Sequence, residues 1–265
     1  MLSGIIGHPV SHTWSPYIYS SLERIYGVEI DYLPVDIRPE FVPTFFRRAS
    51  RNFSWFNVTV PHKVSSMRFL HEIDSSARMS GAVNLVTVND GRLIGYNTDL
   101  QGFTDMCRKH ALDLRGGKRV AVAGTGGGAA RAVTAALVGG SDVTLISRSP
   151  GDSEWGGARA VDYGTARSME FDVLINCTPV GGMWPNSASD PFEGFRLHAG
   201  IVGIDLVYNP VDTQFLRRVR NAGGTAVSGL WMLIYQALEA FRIVTGIRAA
   251  EGLADTLFRR LSALG

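Results

Sequence analysis

The sequence predicts a two-domain α/β protein, and three features carry that prediction. The 265 residues are close to twice the roughly 150-residue domain prior. An apolar fraction of 45% with 19% charged residues supports a sizeable core at this length. Short apolar runs alternate with helical stretches twice over, first to about residue 103 and again from about 115 to 228.

Within the first series, residues 2–7 read as a buried strand that His8-Pro9 closes ahead of a helix over 16–26. Ser15 is placed as the N-cap, with Pro16 at the first helical position. Residues 30–35 suggest a second strand and 39–50 a second helix. Another strand approaches 57–60, where Pro61 stops it, and a helix follows through 64–70. Residues 82–88 and 92–95 form a hairpin turning at Asn89-Asp90-Gly91. A helix over 100–110 leads to the second series.

That series opens with a buried strand over 119–123, a helix over 129–137 and a strand over 142–146. Residues 149–157 read as a surface loop, and further strands fit 172–175, 201–206 and 225–227 in a parallel sheet. Helices over 231–246 and 250–261 end the chain, the first carrying Leu233, Ala237, Ala240 and Val244 at helical spacing. Their length suits a return to the first unit. The expected division is 1–103 with 229–265 in one discontinuous domain and 104–228 in the other.

The formal net charge of +2 is too small to mark a polyanion-binding protein, so no nucleic-acid partner is expected. Only Lys63, Lys109 and Lys118 are lysines among the 26 basic side chains, which draws attention to a lysine beside a motif. Cys107 and Cys177 form neither a disulfide framework nor a metal-ligand spacing, and no metal is expected. No secretory pattern or apolar run of 18 residues is found, so the expectation is a cytoplasmic protein without a membrane partner.

Gly124-Thr125-Gly126-Gly127-Gly128-Ala129 lies directly between strand and helix and satisfies the dinucleotide fingerprint, with alanine at its permitted last position. Gly124 permits a tight turn, Gly126 lets the backbone approach a pyrophosphate, and Ala129 allows close helix–strand packing. The helix N-terminus adds N–H donors. This makes the second domain Rossmann-like. At the end of its second strand Ser147-Arg148-Ser149 stands where a carboxylate would favour NAD. Arginine and hydroxyls there suit a 2′-phosphate, so NADP is expected, with NAD the second candidate. A solvated arginine in a polar loop is the plain alternative.

Several separate motifs then resemble the shikimate dehydrogenase family in its own order. They are Gly7-x-Pro9-Val10-x-His12-Thr13-Trp14-Ser15-Pro16, Asn57-Val58-Thr59-Val60-Pro61-His62-Lys63, Gly81-Ala82-Val83-Asn84 and Gly95-Tyr96-Asn97-Thr98-Asp99. Asn176-Cys177-Thr178-Pro179, Tyr208-Asn209-Pro210 and Gly229-Leu230-Trp231-Met232-Leu233-x-x-Gln236 extend the resemblance over almost the whole chain. It implies a substrate domain and an NADP domain facing a cleft, and reversible NADP-dependent reduction of 3-dehydroshikimate to shikimate.

The resemblance assigns Lys63 and Asp99 as the catalytic pair and Thr13 and Ser15 as carboxylate-binding hydroxyls. Asn57, Thr59, Asn84 and Gln236 become polar substrate contacts; Tyr208 borders the substrate or nicotinamide pocket, with packing as its plain alternative. Thr178 and Pro179 shape the cofactor loop. The chemistry agrees, since amides offer donor and acceptor together to ring hydroxyls. An ammonium stabilises the oxyanion that forms when a ketone is reduced and supplies its proton. Read locally, Asn57 and Asn84 also fit Asx turns, and Thr13 and Ser15 fit helix capping.

The chain departs from the commonest family pattern at Thr13 (usually serine), Leu85 (often threonine) and Trp231 (often glycine). An extra residue separates the first nucleotide glycine from Arg131, and Asp152 stands near the place of a second arginine. The expected ligand is a cyclohexene or cyclohexane polyol carboxylate, and the expected assembly a monomer or homodimer. A quinate or amino-substituted shikimate dehydrogenase is the alternative within the class, and a non-catalytic NADP-binding regulatory protein the alternative outside it.

Overall fold

In the computed structural model, residues 2–150, 154–183 and 188–264 are described. The first half runs β1 (Leu2–Gly7), α1 (Ser15–Tyr26), β2 (Tyr32–Asp36), α2 (Val42–Asn52), β3 (Phe53–Val58), β4 (Glu72–Ile73), α3 (Ser75–Ser80), β5 (Leu85–Asn89) and β6 (Arg92–Tyr96), then α4 (Thr98–Lys109). The second half runs β7 (Arg119–Ala123), α5 (Gly128–Leu137), β8 (Asp142–Ser147), β9 (Glu154–Trp155), β10 (Ala158–Asp162), α6 (Tyr163–Arg167), β11 (Val173–Asn176) and β12 (Val202–Asp205). It continues through α7 (Gln214–Asn221), β13 (Thr225–Ser228), α8 (Leu230–Thr245) and α9 (Leu253–Ser262).

The strands form two separate sheets. The first has the order β2-β1-β3-β5-β6-β4. It is parallel from β2 to β3 and antiparallel across β3, β5 and β6, where a two-residue turn with positive φ at Asp90 and Gly91 joins the hairpin. The second has the order β13-β12-β11-β7-β8-β10-β9, antiparallel only at β9. Its chain starts mid-sheet at β7, builds outward through β8 and β10, then returns to β11. The loops after β7 and β11 therefore part at a topological switch point, where open α/β sheets bind ligands. Buried Val120, Ala121, Val122 and Ala123 explain why β7 is central, since a parallel strand is covered on both faces.

The C-terminal helices tie the halves together. Although α8 follows β13, it packs against α1 and α4, and α4 also contacts α5. A cluster of buried side chains runs continuously from Ile18, Tyr19 and Leu22 through Ile234 and Phe241 to Val122 and Ile175. The outer face of each sheet has its own cluster, around Phe46 and Phe56 in the first and Phe192 and Phe215 in the second. Residue 103, the expected domain limit, falls within the unbroken α4. No helix among the described residues is long and apolar enough to cross a membrane.

Several expectations need correcting. The stretch 64–70 contains a 3₁₀ turn over Ser65–Phe69 rather than an α-helix, a short tight connection between β3 and β4 of the kind 3₁₀ pieces commonly make. Trp14, not Ser15, is the N-cap of α1; Ser15 is already the first residue of the helix and is buried. The expected loop over 149–157 contains β9, whose Trp155 stacks under Arg131 at 4.2 Å. Asp152 lies outside the described residues.

Candidate active site

Lys63 and Asp99 meet although 36 residues separate them: Lys63 Nζ donates to Asp99 Oδ2 at 2.5 Å, with both side chains largely buried. The partnership is built from two helix-start and strand-end devices. Asn97 caps α4 by accepting the Asp99 N–H at 3.0 Å, which places the Asp99 carboxylate in the first turn, where the helix dipole favours negative charge. Lys63 follows β3, and its carbonyl accepts the Val83 N–H at 2.8 Å, so its backbone is tied to the segment that carries Asn84.

Asn84 is the hub. Its Nδ2 donates to Asp99 Oδ1 and Thr98 Oγ1, each at 2.9 Å, and reaches Gln236 Oε1 at 3.4 Å; its Oδ1 accepts the Thr98 N–H at 2.7 Å. Gln236 arrives from α8 because Gly102 of α4 has no side chain. A Cβ at Gly102 would lie 2.8 Å from the Gln236 backbone nitrogen, closer than packed atoms tolerate. Gly102 is a determinant of this cluster that the sequence motifs do not single out.

The run continues toward α1. Asn57 Nδ2 donates to the Asn84 carbonyl at 3.0 Å, and the Tyr32 phenol donates to Asn57 Oδ1 at 2.8 Å. Tyr32 also faces the Ser15 hydroxyl, which accepts a bond from Thr13 Oγ1 at 3.1 Å. Burial raises the Tyr32 phenol well above its ordinary range, with Tyr19 adding to the shift and Ser15 opposing it, so it stays a neutral donor. Tyr208 lies against the Thr13 side chain and packs on Trp14 at 5.3 Å between ring centroids; burial raises its pKa too. Thr13, Ser15, Tyr32 and Tyr208 thus gather hydroxyls at one end of a hydrogen-bonded run that finishes at Lys63. Thr59 sits beside it, its methyl seated where Gly7 has no Cβ. Thr13 also accepts the Ser15 N–H at 3.3 Å, the local bond expected of a capping hydroxyl.

The nucleotide-side residues all follow C-terminal strand ends of the second sheet. Gly124 to Ala129 follow β7, Ser147 to Ser149 end β8, and Thr178 and Pro179 follow β11. Gly124 has φ +104°, a conformation that suits glycine, and Thr178 packs over it. A Cβ at Gly126 or Gly127 would meet no atom within 4 Å, so the loop leaves a cradle in front of the α5 N-terminus. Room for a phosphate and N–H donors fit a dinucleotide, and among the described residues no acidic side chain occurs from Ser147 to Pro150. Thr125 lies in the same loop. Arg148 is exposed, and Ser149 N–H bonds the Ser147 hydroxyl at 3.3 Å.

A buried carboxylate supports these loops. Asp205 accepts from Asn176 Nδ2 at 2.8 Å, the Val207 N–H at 3.1 Å and Thr213 Oγ1 at 2.7 Å. Asn176 Oδ1 in turn accepts the Thr178 N–H at 2.9 Å. Burial pushes the Asp205 carboxyl up to about 6 despite these bonds. Neither histidine of the motifs takes part in the cluster: His62 bonds the Ile37 carbonyl, and His8 rather than His12 pairs with Asp36. Leu85 is buried in the sheet, and Trp231 stacks on Phe258 of α9, about 140° around α8 from Gln236. A cavity of about 400 Å³ lined by Asp113, Lys118, Asp172 and His198 opens at the opposite strand ends and shares no residue with the cluster.

Residues 5–86 match the family model for the shikimate dehydrogenase substrate binding domain. A shikimate dehydrogenase (NADP(+)) of Thermoplasma acidophilum is 37% identical over 262 residues, spanning 97% of this chain and 92% of that protein. One of the same name from Methanocaldococcus jannaschii is 34% identical, spanning 92% and 91%. The crystal structure of shikimate 5-dehydrogenase from Thermus thermophilus, in complex with NADP(H) and shikimate, superposes with a TM-score of 0.86 at 34% identity. That superposition covers 98% of this chain and all of the other.

Proposed function

The chain belongs to the shikimate dehydrogenase family, and on that premise we propose that it interconverts 3-dehydroshikimate and shikimate with NADP. The observation that carries the reading is the Lys63–Asp99 pair, joined on one side to the amide and hydroxyl run and in contact on the other with the nucleotide loop. Thr13 and Ser15 hold the substrate carboxylate with hydroxyl donors, leaving no second cation to compete with Lys63. Asn57, Thr59, Asn84 and Gln236 fix the ring hydroxyls, and Tyr208 closes the pocket.

Bound NADPH supplies the hydride and NADP⁺ accepts it. In reduction, the Lys63 ammonium stabilises the growing charge on the ketone oxygen and delivers the proton; in oxidation the neutral amine takes it back. Asp99 keeps the amine aimed and accepts from the neighbouring hydroxyl. Gly124, Thr125, Gly126, Gly127, Gly128 and Ala129 receive the pyrophosphate. Ser147, Arg148 and Ser149 receive the 2′-phosphate, and Thr178 and Pro179 shape the cofactor loop. Residues 1–103 with 229–265 form the substrate unit and 104–228 the cofactor unit. The protein works in the cytoplasm as a monomer or homodimer. The crowding methyl of Thr13 favours a second reading in which quinate or an amino-substituted ring is preferred. Steady-state assays with shikimate, quinate and amino-substituted analogues, each with NADP and NAD, test both: turnover fastest with shikimate and NADP supports the first, and absence of turnover on every ring rejects both.

A further inference from the structure

The glycines around the start of α5 do not serve one purpose. Gly124 answers a backbone demand, with φ +104°. Gly126 and Gly127 border open space. Gly128 meets neither description. It is the first residue of α5 and has no left-handed φ, and alanine is a better helix former than glycine. A Cβ there, however, would lie 2.7 Å from both Cβ and Cδ of Lys63 and 3.2 Å from its Cγ. The aliphatic stem of Lys63 therefore lies flat against the Gly128 backbone, one partner following a strand of the first sheet and the other opening a helix of the second.

We propose that Gly128 is a positioning residue for Lys63: the missing side chain at the start of the nucleotide helix is the seat of the lysine stem. This deepens the proposed function and rests on its assignment of Lys63 as the proton donor. The seat cannot yield cheaply. Lys63 Cβ belongs to a backbone held by the Val83 N–H at 2.8 Å, and its ammonium is held by Asp99 at 2.5 Å. An added methyl must either push the two loops apart or turn the stem and draw Nζ away from Asp99. Both leave the cradle at Gly126 and Gly127 intact while misplacing the proton donor relative to the nucleotide loop.

The test compares Gly128→Ala with Gly126→Ala in the full-length protein. It uses NADPH titration by fluorescence, steady-state shikimate oxidation, thermal melting and NMR of protein carrying ¹³C-labelled lysine. With Lys63, Lys109 and Lys118 the only lysines, each signal is assignable. Gly128→Ala is expected to lower kcat by about 10- to 100-fold, since a misplacement of about 1 Å can cost on the order of 10²-fold. Its NADPH Kd should stay within about 3-fold, because alanine keeps the backbone N–H that Gly128 offers the pyrophosphate and its methyl meets Lys63 rather than the open cradle; its melting temperature should fall by no more than about 4 °C, and only the Lys63 signal should move. Gly126→Ala should do the reverse, raising the NADPH Kd with the Lys63 signal in place. Unchanged kcat in Gly128→Ala, or a loss of NADPH affinity like that of Gly126→Ala with Lys63 unmoved, overturns the proposal. A wild-type protein inactive on shikimate rejects the functional reading, and the lysine spectra then decide the seat alone: an unmoved Lys63 signal removes it.

Discussion

The two sides of the cleft are built from different materials. On the substrate side, side chains from α1, β2, β3, α4 and α8 bond directly to one another, and Asn84 alone touches Thr98, Asp99 and Gln236. On the nucleotide side the working parts are backbone, empty space and loops at strand ends, with Asp205 as a support behind them. A site made of mutually bonded side chains fails sharply when one is removed, because its neighbours lose partners in a buried setting. A site made of backbone and space weakens by degrees.

The largest effect is therefore expected at Lys63. Lys63→Ala should lower turnover by about 10² to 10⁴-fold while the protein stays folded and binds NADPH. A variant that binds cofactor and turns over like the wild type would remove Lys63 from its role.

Support of the loops by Asp205 should show in stability against pH. The folded pKa, about 6, lies above the unfolded value near 3.8, so the contribution is fully present below the unfolded value and lost as pH rises through 6. Roughly two pKa units correspond to about 3 kcal/mol. Denaturant unfolding of the wild type and Asp205→Asn at pH 4 and pH 7 measures it: the wild type should gain stability relative to the variant as pH falls. A constant difference would show that Asp205 does not titrate in this range.

Arg148 tests the weaker side of the comparison. Arg148→Ala should reduce NADPH affinity by about 10-fold, at the low end for charge-assisted bonds because the side chain is exposed. NADH affinity should change far less. Equal losses at fixed ionic strength would point to adenine stacking or loop structure instead of the 2′-phosphate. Smallest is Tyr32→Phe, which removes one hydrogen bond to Asn57, worth about 1 kcal/mol. It should raise the shikimate KM about 5-fold, with kcat and NADPH affinity nearly unchanged. A fall in kcat without a KM effect would place Tyr32 outside the substrate end of the run.

The same contrast explains what can be read from the sequence. Gly124 to Ala129, Asn57 to Lys63 and Asn97 to Asp99 are local patterns whose strand-to-loop settings are visible in residue order. Tyr32 escapes notice because its tie to Asn57 spans 25 residues and its own strand looks ordinary. Gly102 escapes because one glycine in a helix acquires meaning only when Gln236 of α8 crosses it from far along the chain. Ser15 reads as a cap since Ser-Pro is a common helix opening, whereas α1 starts one residue earlier. Short elements such as β4, α3 and β9 carry too few residues for a periodic signal; the flanking tertiary contacts define them.

The central claim is that Lys63 and Asp99 act as one unit. It is tested most directly by a double-mutant cycle on kcat with Lys63→Ala, Asp99→Asn and the combined variant, each at saturating NADP and shikimate. The combined loss should be close to that of the more damaging single change, as for residues that work together. A combined loss equal to the product of the two single losses would mean that they act independently, and would contradict the account.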